Sequence, residues 1–403
     1  MNNTTLAGNV AMPQTANAQP DPVHPYKDKP YFENLDTLRF FSFFVVFLYH
    51  VHFYEWITTC TTNPVLLALG RVASAGSWGV TFFFALSGFL ITWLMLIEKE
   101  KHGNVNIRLF YVRRVLRIWP LYYLVFFTGV VLLPILYKAM HQKFYFDYNP
   151  WLYGTFLSNF GVLDLDKAFD NIRSYSLVMN ISWSVSIEEQ FYLVWPLLYA
   201  LNKKVIGYIS PAFILLSFVA AFFLRYDYQQ ISINTLTCIG QLAVGGLLAY
   251  ATYYKRYMSR FIHALPKWGI ALVYAGAFAV VYCSFGAWVT PFMAHVLHIL
   301  GAALFGFIIL EQNFSNRSFF KFGRLKLPGR LGRISYGLYM LHPLGMFAAS
   351  FALQKLLHKA GPVSSGPLFM VAAFAITILM AMVSYRFMEQ PLLQLKKKFD
   401  NKK

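Results

Sequence analysis

Acidic residues are scarce in this chain: Asp and Glu total 17 against 35 Lys and Arg, and charged residues of both signs make up 13% of its 403 positions. A soluble domain carries about a quarter, so a fully solvated, charged surface is excluded. Cysteine is scarcer still. Cys60, Cys238 and Cys283 stand apart, odd in number and without metal-ligand spacing, which argues against a disulfide framework or a zinc site. His295 and His298 are at i, i+3 but have no third ligand at a compatible spacing, so no metal is expected. The start of the chain lacks both a basic region and an apolar core, and so is not expected to be a secretory signal peptide. Rich in Asn, Gln, Pro and Ala, residues 1–30 are expected to be a disordered tail. Internal repeats are also missing: neither the 35–52 stretch nor the 182–192 stretch recurs.

What the chain has in abundance is apolar and aromatic side chains, 57% and 19% of the residues. They fall into ten segments, at about 36–56, 78–97, 118–137, 181–201, 206–224, 235–254, 268–287, 291–311, 333–353 and 367–388. Each is near the roughly 20 residues that cross about 30 Å of hydrocarbon. Residues 151–162 are apolar but too short to span, and are expected to be interfacial or re-entrant. The cations test this count. With a cytoplasmic N-terminus, the large majority of the 35 Lys and Arg fall on the inner side, among them the clusters Lys99–Arg117 and Arg317–Arg333. That asymmetry obeys the positive-inside rule. The expected fold is therefore an all-α integral membrane protein of about ten transmembrane helices with both termini cytoplasmic. Residues 31–392 form the membrane domain and 393–403 a basic cytoplasmic tail. The net charge of +18 is then mostly topological, and the expected partner is the lipid bilayer rather than nucleic acid.

Ionisable residues inside the spans are the candidates for chemistry, because each costs about 2.5–3.5 kcal/mol near a helix centre by insertion scales. The stretch L-D-T-L-R-F-F-S-F-F-V-V-F-L-Y-H carries Arg39 near its start and His50 near its end. Eleven residues apart, they share a helix face at a separation of about 16 Å. Arg114 and Arg117, at i, i+3 in the loop after the second segment, are neighbours on one face; their planar forks suit phosphate. Glu188 and Glu189 in S-W-S-V-S-I-E-E-Q-F-Y point about 100° apart and cannot share one environment. Ser184 and Tyr192 flank Glu188 at i−4 and i+4. By depth, Glu188 is near the level of His50, which suggests a base and its orienting carboxylate. His342 precedes Pro343, whose missing N–H loosens the helix beside an intramembrane histidine. Arg386 and Glu389, at i, i+3, are expected to pair at the inner surface.

These motifs, taken in order, resemble the acyltransferase family 3 group of bacterial integral-membrane O-acyltransferases over residues 31–392. The resemblance rests on L-D-T-L-R with ten residues separating Arg39 from His50, and on F-F-F-A-L-S-G-F-L-I-T at 82–92. It also rests on Arg114-x-x-Arg117, W-S-V-S-I-E-E-Q-F-Y at 183–192, Y-M-L-H-P at 339–343 and R-F-M-E-Q-P at 386–391. The family reads Trp-Ser-Leu where this chain has Trp183-Ser184-Val185, a mild apolar change. The resemblance implies transfer of an acyl group, often acetyl, from cytoplasmic acyl-CoA to a hydroxyl of an extracytoplasmic or lipid-linked glycan, across a bacterial inner membrane. It implies His50 as general base or acyl carrier with Glu188 as its orienter. Arg39, Arg114 and Arg117 would serve the donor, with Glu189, Ser184, Tyr192 and His342 as further candidates. Some relatives carry a C-terminal SGNH-type domain; with none in the residues to Lys403, this chain is expected to act alone or with a partner. The glycan is expected at the 138–180 loop, where Phe144, Tyr145, Phe146, Tyr148, Trp151 and Tyr153 alternate with Asp164, Asp166 and Asp170. The competing function is a transporter with an intramembrane Arg/His/Glu path, against which the lack of repeats weighs.

Overall fold

In a computed structural model, residues 31–139, 141, 149–165, 177–201, 205–358 and 364–400 are described, and these are entirely helices and their connections. The expected tail at 1–30 lies outside them. The first span is α1 (Glu33–His50), followed by α2 (Phe53–Cys60), α3 (Pro64–Ala73), α4 (Gly76–His102) and α5 (Ile107–Phe127). α5 continues through a π-helical turn, Thr128–Leu132, into α6 (Leu133–Ala139). Three short helices come next, α7 (Pro150–Gly154), α8 (Ser158–Leu165) and α9 (Leu177–Asn180), then the long α10 (Ser182–Leu201) and α11 (Ile206–Phe223) and the short α12 (Tyr228–Ile233). The remainder is α13 (Thr235–Tyr254), α14 (Arg256–Ala264), α15 (Lys267–Cys283), α16 (Pro291–Phe314), α17 (Lys326–Arg333), α18 (Ser335–Leu356), α19 (Pro367–Ser384) and α20 (Gln390–Asp400).

Six helical stretches among the described residues are long and apolar enough to cross a membrane: α4, Ile107–Ala139, α11, α13, α16 and Pro367–Leu395. A seventh arises if α1 and α2 are taken as one span bent by 66°. The bend comes from His52, whose left-handed backbone (φ 56°) ends the first helix two residues after His50. The other three apolar segments are helices as well. α15 has 17 residues, while α10 and α18 are long enough but carry Glu188–Glu189–Gln190 and a Ser-, His- and Gln-bearing face respectively. Two of the three, α10 and α18, carry candidate site residues, and their polar positions are what set them apart from a plain lipid span.

α4 and α13 are the centre of the bundle, buried along most of their length. Their backbones touch. A Cβ on Gly88 would lie 1.9 Å from the Leu242 carbonyl oxygen, and one on Gly245 would lie 1.9 Å from that of Ala85, so only glycine permits this crossing. α11 and α19 lie at the periphery, showing Leu215, Phe223, Leu379 and Met382 outward. Such bare apolar faces belong against hydrocarbon.

The short 151–162 segment forms α7 and α8, which fold back against α10. Gln190 Nε2 donates to the Phe156 carbonyl (2.9 Å) and to Asn159 Oδ1 (3.0 Å), and Gln190 Oε1 accepts from Thr235 Oγ1 (2.6 Å). Of the aromatics expected to meet an acceptor, Trp151 is exposed, but Tyr153 is wholly buried. Its carbonyl accepts from Tyr122, so Tyr153 belongs to the core. Phe144, Tyr145, Phe146, Tyr148, Asp166 and Asp170 lie outside the described residues, as does the side chain of Asp164. The expected Arg386–Glu389 pair is replaced by a different contact. Tyr385–Glu389 is a π-helical turn, whose wider winding carries positions i and i+3 apart, and Glu389 instead accepts from Ser384 at 3.1 Å.

Candidate active site

α1, α4, α5, α10 and α18 converge on a cavity of about 830 Å³, its open mouth included. Arg39, Arg114, Arg117, Ser184, Glu188 and Tyr192 all line it, so six residues singled out in the sequence, spread over three helices, reach one space. Glu189, His50 and His342 are not among its lining residues.

The cationic wall follows from helix phase. Asn106 caps α5 by accepting from the Leu109 N–H (3.0 Å). One turn later Arg113 turns away to Glu98 (2.7 Å), while Arg114 and Arg117 face inward. The Arg114 guanidinium lies over the rings of Tyr192 (5.1 Å) and Phe110 (5.6 Å), which holds its fork by cation–π attraction. Arg39 donates to Asp36 (2.6 Å) one turn earlier on α1. Asp36 is buried and also accepts from Tyr31. Gly332 makes room for it: a Cβ there would strike the Asp36 carbonyl at 1.7 Å.

On α10, three consecutive polar side chains reach three different neighbours. Glu188 accepts from Ser87 on α4 and from Tyr192, both at 2.9 Å. Glu189 accepts from the Trp119 indole on α5 (3.1 Å), and its other carboxylate oxygen has no hydrogen-bond partner among the described residues. Gln190 holds α8. This divergence is the 100° step expected for adjacent helical positions.

The histidines meet outside the cavity wall. Pro343 has no N–H, so the Tyr339 carbonyl four residues earlier loses its helical donor. His342 takes that carbonyl with its own Nδ1–H at 2.6 Å. A carbonyl oxygen only accepts, so Nδ1 carries the proton and Nε2 of His342 is a lone pair. That lone pair is 3.2 Å from Nδ1 of His50. Nδ1 of His50 is also 2.9 Å from the Val46 carbonyl, which again makes it the protonated nitrogen, shared between two acceptors. By elimination the basic nitrogen of His50 is Nε2. His342 is completely buried and His50 half-buried. The neighbour in contact with His50 is therefore His342, while the hydrogen bonds of Glu188 go to Ser87 and Tyr192.

Tyr339 joins the two halves. It lines the cavity, its hydroxyl is 2.7 Å from Ser184, and its carbonyl holds His342. Sequence inspection passed over Tyr339, Ser87 and Tyr336, which also line the space. A signal was present for Tyr339, at i−3 to a histidine followed by proline. None marked Ser87 or Tyr336 individually.

The sequence profile of an acyltransferase domain matches residues 32–386. The chain is 27% identical to a peptidoglycan O-acetyltransferase of Listeria monocytogenes over 386 residues, covering 90% of this chain and 56% of that protein. An O-acetyltransferase of Staphylococcus aureus is 26% identical over 391 residues, covering 90% and 57%. The chain thus spans a little over half the length of these curated relatives. No solved structure matches.

Proposed function

The chain belongs to the acyltransferase-domain family, and on that premise we propose that it transfers an acetyl group from cytoplasmic acetyl-CoA to a hydroxyl of an extracytoplasmic or lipid-linked glycan, peptidoglycan being the acceptor class its relatives' names carry. The observation that carries this is the arrangement of the cavity: guanidiniums of Arg39, Arg114 and Arg117 at one wall, and Tyr339 with the histidine pair behind it. Ten helices matching the ten apolar segments, with the cation asymmetry of their loops, support a ten-span chain in a bacterial inner membrane with both termini cytoplasmic. In that frame the arginines take the phosphates of the donor at the cytoplasmic mouth. The thin pantetheine arm carries its thioester inward past Glu188.

His50 is the general base. The acceptor hydroxyl gives its proton to Nε2, its oxygen attacks the thioester carbonyl, and the coenzyme leaves as the thiolate, which takes up the proton. As His50 becomes imidazolium, its Nδ1–H becomes a charge-assisted donor to the His342 lone pair. His342 is thus the positioning residue for His50, the role that sequence spacing had given to Glu188. Glu188, braced by Ser87 and Tyr192, instead offers the cavity its carboxylate between the cationic wall and Ser184.

Sidedness tests the whole scheme. Inside-out membrane vesicles given radiolabelled acetyl-CoA are expected to acetylate glycan, whereas right-side-out vesicles given the same donor remain unlabelled. Equal labelling of both would refute a cytoplasmic donor mouth. The positioning role of His342 has its own test. His342→Leu is expected to lower kcat by roughly 10- to 100-fold with little change in KM for acetyl-CoA. His342→Gln, whose side-chain oxygen still accepts from His50, should recover most of that loss. Identical kinetics for the two variants would contradict the hydrogen bond as the source of the effect.

A further inference from the structure

A second pocket lies at the end of the bundle where α15 begins and α16 ends. It is lined by Ile270, Tyr274, Glu311, Gln312 and the rings of Phe319, Phe320 and Phe322. Asn34 places it at the same end as the start of α1, by donating to the Gln312 carbonyl (2.8 Å) and accepting from the Gly323 N–H (2.7 Å). Glu311 is 97% buried, that is 3% exposed. One of its carboxylate oxygens, Oε2, is fully engaged, accepting from Tyr274 (3.0 Å) and Gln312 (2.9 Å). The other, Oε1, has no partner among the described residues. Lys321, close by, does not supply one: its Nζ donates to the backbone carbonyls of Glu311 (2.9 Å) and Gln312 (2.7 Å), closing the end of α16.

A buried carboxylate oxygen left without a donor is costly, and the groups around it indicate what satisfies it. A divalent metal needs several oxygen ligands, but the other two side-chain oxygens of the wall are already engaged, Tyr274 with Glu311 and Gln312 (3.0 Å each) and Gln312 Oε1 with the Phe322 N–H (3.0 Å). The remainder is Ile270 and phenylalanine carbon. A neutral hydroxyl donor would satisfy Oε1 but gain nothing from the surrounding phenylalanine faces. An ammonium satisfies Oε1 with an N–H, and the faces of Phe rings attract the same cation. Phe319 and Phe320 are 61% and 41% exposed, positions where large apolar side chains gain nothing from burial within the chain itself.

We propose that this pocket binds a primary ammonium group attached to an apolar or membrane-anchored body, with Glu311 Oε1 as the anion and Phe319 and Phe320 as its cover. The shared chemistry has two sources, a free alkylamine or the headgroup of an ethanolamine phospholipid of the same leaflet. The test uses the full chain in detergent and follows thermal unfolding by tryptophan fluorescence. Hexylammonium chloride is compared with hexanol, and phosphatidylethanolamine with phosphatidylglycerol in mixed micelles. An ammonium compound is expected to raise Tm by about 2–4 °C where its neutral or anionic counterpart does not. Response to hexylammonium identifies a free amine, and response to phosphatidylethanolamine alone identifies the lipid. Glu311→Gln keeps an acceptor for Tyr274 and Gln312, and should abolish the shift. Phe319→Leu, at the exposed rim and outside the hydrogen-bond network, should at least halve it and decides the matter if the first variant unfolds. Absence of any ammonium-specific shift, or a shift unchanged in both variants, overturns the proposal.

Discussion

His50→Ala protein is expected to insert and fold normally but to transfer acetyl groups about 10²–10⁴-fold more slowly than the unaltered chain, the usual contribution of a general base. That corresponds to about 2.7–5.5 kcal/mol in the barrier. The size of the effect follows from the tautomers. Both Nδ1 atoms are committed to carbonyls, Val46 for His50 and Tyr339 for His342, so Nε2 of His50 is the basic nitrogen that the pair presents outward. Neither His342 nor Glu188 replaces it: the lone pair of His342 is directed at His50 itself, and Glu188 is bonded to Ser87 and Tyr192. Folding tolerates the change because His50 is half-buried at the last residue of α1, where the chain already bends. Donor binding should also survive, since Arg39 is about 16 Å away along the helix. Single-turnover transfer measured beside acetyl-CoA binding separates these quantities. Retention of full transfer activity by His50→Ala would sink the mechanism.

The second large effect is on the donor. Arg114→Ala/Arg117→Ala is expected to weaken acetyl-CoA binding by roughly 10²–10⁴-fold, from about 1.5–3 kcal/mol for each charge-assisted hydrogen bond removed. The upper limit assumes that the two act independently, and neighbours on one face couple. Arg114 has a further part to play, because its guanidinium lies over Tyr192, which in turn braces Glu188. Arg114→Lys keeps a charge but loses the planar fork, and should fall between the two. Arg113→Ala is the internal control. It is the same residue type one position away, yet it is paired to Glu98 outside the cavity, and its loss should change donor affinity little. Isothermal titration of each purified variant gives the comparison. Equal weakening by Arg113→Ala and the double variant would mean that positive charge alone, not this wall, attracts the donor.

The spans and the outline of the site were open to inspection in the sequence because hydrocarbon imposes simple rules. A helix must be long and apolar to cross it, and a polar residue within it needs a reason. All ten apolar segments are helices, and the polar residues that departed from the pattern converge on one region. Arg39, Arg114, Arg117, Ser184, Glu188 and Tyr192 line the same cavity, and Glu188 and Glu189 part company as their 100° offset requires. Partnership was another matter. Depth along two helices put Glu188 at the level of His50, but depth is one coordinate of three, and which helices touch depends on close crossings such as Gly88 against Leu242 and Gly245 against Ala85. α18 occupies the position next to His50, so His342 is the neighbour.

By itself, then, the amino-acid sequence determined the helical membrane class, the positions of the apolar segments and the residues too costly to be idle. These are properties of single helices, set by composition, period and the price of desolvation. The tertiary structure alone decided that a proline-freed carbonyl holds His342, and that His342 and not Glu188 meets His50. It also decided that a π-helical turn separates Arg386 from Glu389, and that Tyr153 is core. Those outcomes depend on local helix winding, side-chain rotation and contacts between helices, of which sequence spacing marks only the i−3 position of Tyr339 before a His-Pro pair.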